Sequence, residues 1–233
     1  MGIHQAMMMG YATADTNPTW TLVGSDESSG FFGATISVAN CEAGDQAWYG
    51  YSVDNSTGIY NPSGYTIIRS STSNAPDFTL SRRTITSSGT ETVSVESVVD
   101  NAILMVFRSS TGSIVNKTEG TYLAIDAEST GSSGMPTTPT ANTSNRIAPA
   151  DSIALNVGYL DDDNPTTITA PTGYTFIVAG NTDDGTTSSS LFSAYAETTS
   201  SSSSPPGAGN AWTASGQNSD QNVCIVVYLI HGS

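Results

Sequence analysis

Short apolar or alternating runs, separated by turn residues, recur along the whole chain. Trp20–Val23, Phe31–Val38, Gln46–Val53, Tyr65–Arg69, Phe78–Thr86, Thr92–Val98 and Ala102–Arg108 read as strands, and the pattern resumes with Ser152–Tyr159, Tyr174–Val178, Leu191–Glu197 and Val223–Ile230. Between these blocks, Ser109–Arg146 holds one further predicted strand, Tyr122–Ile125, and a Ser/Thr/Gly/Pro connector. Strands at such spacing with turn signals between them predict an antiparallel β-sandwich of jelly-roll-like type. Two runs, Ala102–Phe107 and Val223–Ile230, are apolar at successive positions, as in strands covered on both faces. Their second cover must come from a loop, the other half of the chain or a neighbouring subunit, the last two being preferred. A helix over Val223–Ile230 is disfavoured, because the run is short, β-branched and stopped by His231-Gly232.

The chain repeats itself. Pro62-Ser63-Gly64-Tyr65-Thr66-Ile67-Ile68 returns as Pro171-Thr172-Gly173-Tyr174-Thr175-Phe176-Ile177. Upstream of each copy an acidic turn, Ala43-Gly44-Asp45 or Ala150-Asp151, precedes an amphipathic strand. Downstream, Asp100-Asn101 and Asp220-Gln221-Asn222 each lead into one of the wholly apolar strands. Proline fixes φ at a corner, glycine takes up a conformation other residues avoid, and tyrosine starts a strand. The expected organisation is an N-terminal arm (1–20), a first β half (21–128), a connector (129–146) and a second β half (147–233).

Composition narrows the chemistry. One lysine and five arginines against 21 carboxylates give a formal charge of −15, which argues against a nucleic-acid ligand and fits a repulsive, soluble exterior. The start, Met1 to Met9, has no basic region and too short an apolar stretch for a signal peptide, and no run is long enough for a membrane helix. Cys41 and Cys224 read as buried thiols, with a single bridge between them as the alternative. The two histidines, His4 and His231, read as surface residues near the chain ends, and no phosphate loop or zinc spacing is present. No catalytic residue and no cofactor is therefore expected, and the chain reads as a non-enzyme. Calcium is the one metal weighed, at Asp161-Asp162-Asp163 and Asp183-Asp184, against a reading of both as solvated turns. Sequons at Asn55, Asn116 and Asn142 are no more than chance supplies in so Ser/Thr-rich a chain. The aromatics Trp20, Trp48, Tyr49, Tyr51, Tyr60 and Tyr65 suit core packing better than a glycan platform. Thr198–Ser204, followed by Pro205-Pro206-Gly207, has the composition of a flexible linker. If ordered, it needs something packed against it, such as an assembly contact.

Gly44-Asp45 before a strand, the Pro62–Ile68 motif, a late acid before an apolar strand and the short start with His4-Gln5 resemble β-rich structural proteins of tailed bacteriophages. The resemblance covers about residues 22–112 and 147–230, and the second half departs from it by having Ala150-Asp151 where Gly-Asp would stand. It implies a virion component at the particle surface, made in a host cytoplasm: a capsid decoration or cement protein, a head fibre, or a tail-associated adhesin. Other virion proteins, the major capsid protein first, and further copies of the chain would be its partners. No catalytic residues carry over. Ile3, Met7, Met8 and Met9 of the arm are the candidate docking side chains, since methionine adapts to irregular apolar surfaces.

Overall fold

The computed structural model describes residues 18–29, 33–53, 59–71, 77–96, 99–115, 126–131, 134–142, 147–161, 167–182, 189–215 and 221–232. Among them there is no helix. The strands are β1 (Trp20–Ser29), β2 (Thr35–Cys41), β3 (Gln46–Val53), β4 (Thr66–Ser71), β5 (Asp77–Thr84), β6 (Gly89–Ser94), β7 (Asn101–Ser109), β8 (Ile114–Val115), β9 (Asp126–Gly131), β10 (Ile153–Asp161), β11 (Thr167–Thr169), β12 (Thr175–Thr182), β13 (Ser189–Glu197), β14 (Thr213–Ser215) and β15 (Asn222–His231).

β1, β7, β3, β5 and β4 pair in that order as one antiparallel sheet, and β12, β13, β10 and β15 form the body of a second. β9 and β8 complete the second sheet by pairing with successive stretches of β15. Replacing β1, β7, β3, β5 and β4 by β9, β15, β10, β13 and β12 converts the first strand order into the second. The repeat seen in the sequence is thus a repeat of topology. Its corners match in detail: Tyr65 N–H donates to Pro62 O at 3.1 Å and Tyr174 N–H to Pro171 O at 3.0 Å. Gly64 and Gly173 take φ of 82° and 95°, as the third residue of a type II turn requires. Immediately beyond each turn the register slips, between Ile67 and Arg69 on β4 and between Phe176 and Val178 on β12. These bulges fall at the same place in the motif and twist each edge strand away from its neighbour's plane.

The two sheets pack face to face. Trp48, Phe78, Leu80, Ile103, Met105 and Phe107 of the first interleave with Leu155, Val157, Tyr159, Leu191, Ile225 and Val227 of the second in one buried cluster. Phe78 stacks on Tyr159 at 4.4 Å between ring centroids, and Tyr159 Oη donates to Thr79 O. Ser52 Oγ and Ser189 Oγ share a hydrogen bond, and Asn101 Nδ2 donates to Ser189 O, so these buried polar groups bond to each other across the joint.

Each sheet also has an outer cover from its own half. β2 and β6 pair and seal Ile36, Val38, Val93 and Val95 against Tyr49, Tyr51, Leu104 and Val106. On the second sheet, Met135 and Trp212 close over Leu160, Phe192 and Ala194. Trp212 Nε1 and Cys224 Sγ both donate to Asn156 Oδ1, while Asn156 Nδ2 donates to Thr138. The successive apolar positions of β7 and β15 follow from this layering: one face meets the other half and the opposite face meets the half's own cover, with no neighbouring subunit needed. Trp48 and Tyr49, adjacent on β3, are both core residues, facing the two different clusters. Cys41 and Cys224 are separate buried thiols.

The predicted strand Gln46–Val53 has the observed bounds. β2 starts and ends later than predicted, and β6 begins earlier. Tyr122–Ile125 lies outside the described residues, next to β9. β8, β11 and β14, two or three residues each, carry no period and were not anticipated.

Candidate functional site

Ile3, Met7, Met8 and Met9 lie outside the described residues, as do His4, Asp162, Asp163, Asp183, Asp184, Asn55 and Asn116. Among the described residues no group of three metal-binding side chains assembles. Asn142 is buried, with Nδ2 donating to Ser202 O and Oδ1 accepting from Tyr228 Oη, so it is an internal strut and offers no surface for a glycan. The serine tract is ordered, and the chain itself packs against it. Ala148 and Ser202 exchange backbone hydrogen bonds, Asn142 N–H donates to Ser203 O, and Ala150 N–H donates to Ser201 Oγ. The linker reading is corrected by these tertiary bonds, which composition does not record.

The acidic turns before β3 and β10 are equivalent but one residue out of step with the sequence alignment. Gly44 N–H donates to Ile85 O and Ile85 N–H to Asp45 O; Asp151 N–H donates to Thr198 O and Thr198 N–H to Ser152 O. Asp151 therefore stands where Gly44 stands, with φ of 58° against 98°. Aspartate is among the few residues that tolerate this region. Ser152 takes the place of Asp45. Asp45 accepts from Glu42 N–H and, bidentately at 2.8 Å, from Arg108 Nε and Nη2. In the second turn Pro149 has no N–H to offer, and Ser152 Oγ donates to Pro149 O instead. The acid and its arginine are thus absent together.

Those same bonds define a cleft in each half, beneath the loop that leaves β5 or β13. Cys41 pairs with Gly89 and Ala148 with Ser202, closing the two clefts at matching positions. Thr86-Ser87-Ser88 follows Ile85 in one, and Thr199-Ser200-Ser201 follows Thr198 in the other. The first cleft is about 120 Å³ and is lined by Arg83 and Glu91 as well as by Cys41 and the loop. Glu91, 2% exposed, is ion-paired with Arg83 and accepts from Tyr65 Oη at 2.7 Å. The Arg83 guanidinium lies 5.4 Å from the Tyr65 ring centre. Burial, with Glu91 adding to it, pushes the Tyr65 phenol well above its ordinary range, so it stays a donor.

The second cleft is about 250 Å³. Ala196, the cross-strand partner of Ala154 as Arg83 is of Ala47, replaces the arginine. Ser204, two residues past Ser202 as Glu91 is two past Gly89, replaces the glutamate. Tyr174, the counterpart of Tyr65, has the Asn156 side chain beside its buried Oη in place of a glutamate. Tyr174 packs against the cluster that holds Ala148 and Tyr228, two residues of the cleft lining, and does not itself line the cleft.

Two further features belong to the surface. Ile67 and Phe176, at the same place in the repeated motif, are 39% and 42% exposed on the edge strands β4 and β12. At the other end of the joint, His231 is half-buried and held by more contacts than a free surface residue. It stacks on Trp20 at 4.0 Å, bonds Ser109 Oγ through Nδ1, and leaves Nε2 buried without a partner. Trp20 Nε1 donates to Asp151 O, so first and last strands meet here. Burial lowers the His231 pKa, opposed by the charge of Asp151. A folded pKa below the unfolded value means that its contribution is complete above about pH 6.5 and is lost as pH falls through the folded value. Trp20 emission and Tm are expected to change between pH 7 and pH 5 in the wild type more than in His231→Gln; equal responses would remove His231 as the cause.

Comparison with protein-family models, with curated proteins and with solved structures gives no match to this chain.

Proposed function

We propose that this chain is a structural protein of a phage particle, which decorates or cements the capsid through subunit contacts and carries out no turnover. The observation that supports this most is the pair Ile67 and Phe176: a duplicated scaffold repeats one exposed apolar residue on each of its two sheet edges. An edge strand offers unpaired backbone groups and is usually blunted. Here the bulge limits pairing to the short stretch before it, so contact is confined instead of open-ended. The acidic exterior keeps free copies apart in solution, and the arm bearing Ile3, Met7, Met8 and Met9 supplies adaptable apolar side chains for the capsid partner. The resemblance of the repeat to β-rich phage structural proteins points the same way.

Quantitative mass spectrometry of purified particles tests the reading. Copy numbers in the hundreds are expected, falling severalfold for Ile67→Asp with Phe176→Asp, and for deletion of residues 1–12, while each variant remains folded. Absence from particles contradicts the proposal. A copy number of a few to tens favours a second reading, a receptor- or glycan-binding tail module, which the open cleft of the second half supports. Binding of the isolated protein to host cells would distinguish that case.

A further inference from the structure

The two clefts stand at equivalent places in the repeated topology, and only one is filled. In the first, Arg83 and Glu91 occupy the space and give Tyr65 Oη its acceptor. In the second, both side chains are missing and the volume is roughly double. We propose that this cleft is a binding site for a neutral, polyhydroxylated ligand, a single saccharide unit.

The lining selects that class. Thr199, Ser200, Ser202 and Ser204 supply hydroxyls that both donate and accept, as ring hydroxyls of a sugar do. Pro205 and Pro206 offer apolar surface for a C–H face. Glu197 adds an acceptor, and no lysine or arginine lines the cleft, so an anionic ligand would meet uncompensated repulsion. The volume is below the usual range for drug-sized ligands and suits one ring. The proposal goes beyond particle assembly and does not depend on it: copy number in particles and saccharide binding are separate readouts.

The test titrates the intact chain with D-glucose, D-galactose and N-acetyl-D-glucosamine to about 50 mM, because so few contacts give millimolar affinities. Amide resonances of Thr199–Ser204 are followed. At least one sugar is expected to shift them saturably. Refilling the cleft on the pattern of the first half, with Ala196→Arg and Ser204→Glu together, should weaken binding at least tenfold without lowering Tm. Should that variant misfold, Ser200→Trp at the exposed rim is expected to block entry with the fold intact. No shift with any of the three sugars, or unchanged binding in the blocked variant, overturns the proposal.

Discussion

Gly44→Ala is expected to be among the most destabilising single-methyl changes in the chain. Two effects add. The φ of 98° lies where an L side chain is strained, at a cost of about 1–2 kcal/mol. An added Cβ would also stand 2.0 Å from Gly112 O and 3.1 Å from Gly112 C. That neighbour is backbone, fixed by the turn in which Gly112 N–H donates to Ser109 O, so it cannot swing aside as a side chain would. The combined loss should be about 3 kcal/mol or more, or roughly 6–12 °C in Tm for a chain of this size. Asp151→Gly changes the equivalent position in the opposite sense. It relieves left-handed strain while adding unfolded-state freedom, and is expected to fall within about 1 kcal/mol of the wild type. Thermal unfolding of the two variants side by side measures both. Similar losses at both sites would show that the turns are not equivalent.

Arg108→Met should cost about 3 kcal/mol, because it strands Asp45. That carboxylate is 2% exposed, and without the guanidinium Glu42 N–H is the donor left to it among the described residues. Arg108 also reaches Glu42 Oε1 and Asn40 O at 2.8 Å, so the turn before β3 loses its anchor to β7. The second half shows the alternative solution, with Ser152 at the place of Asp45 and an apolar strand end on β15. The double variant Asp45→Ser with Arg108→Ile should therefore recover most of the loss, giving a coupling energy of about 2 kcal/mol in a double-mutant cycle. Additive losses would mean that the bidentate pair is incidental. Arg82, buried beside Trp48, follows a different rule: burial lowers its pKa to about 10, still charged at neutral pH.

The residues that repeat were legible in the sequence because their chemistry is local. A proline-glycine corner needs its φ values whatever surrounds it, so Pro62–Ile68 and Pro171–Ile177 announced themselves, and the alternation of Gln46–Val53 gave a strand with its correct ends. Continuous apolar runs showed that β7 and β15 are covered twice. What covers them depends on which strands lie across the sandwich, and no local pattern carries that. The acidic turns were aligned acid on acid, although the backbone aligns Asp151 with Gly44, because the sequence does not display a φ requirement that aspartate can also meet. The matched clefts left one trace, Thr86-Ser87-Ser88 against Thr199-Ser200-Ser201, and a Ser/Thr-rich background hid it. Their divergence lies in Arg83 and Ala196, Glu91 and Ser204, which are paired only by cross-strand register.

Two sheets of the same topology share one interior, and each half leaves a large apolar face bare without the other. Cutting the chain between residues 120 and 121 separates the halves outside every described strand. Neither piece alone is expected to show a cooperative unfolding transition, and mixing them should restore a 1:1 complex with native amide exchange protection across β3, β7, β10 and β15. A cooperatively folded, monomeric fragment from either side of the cut would contradict it.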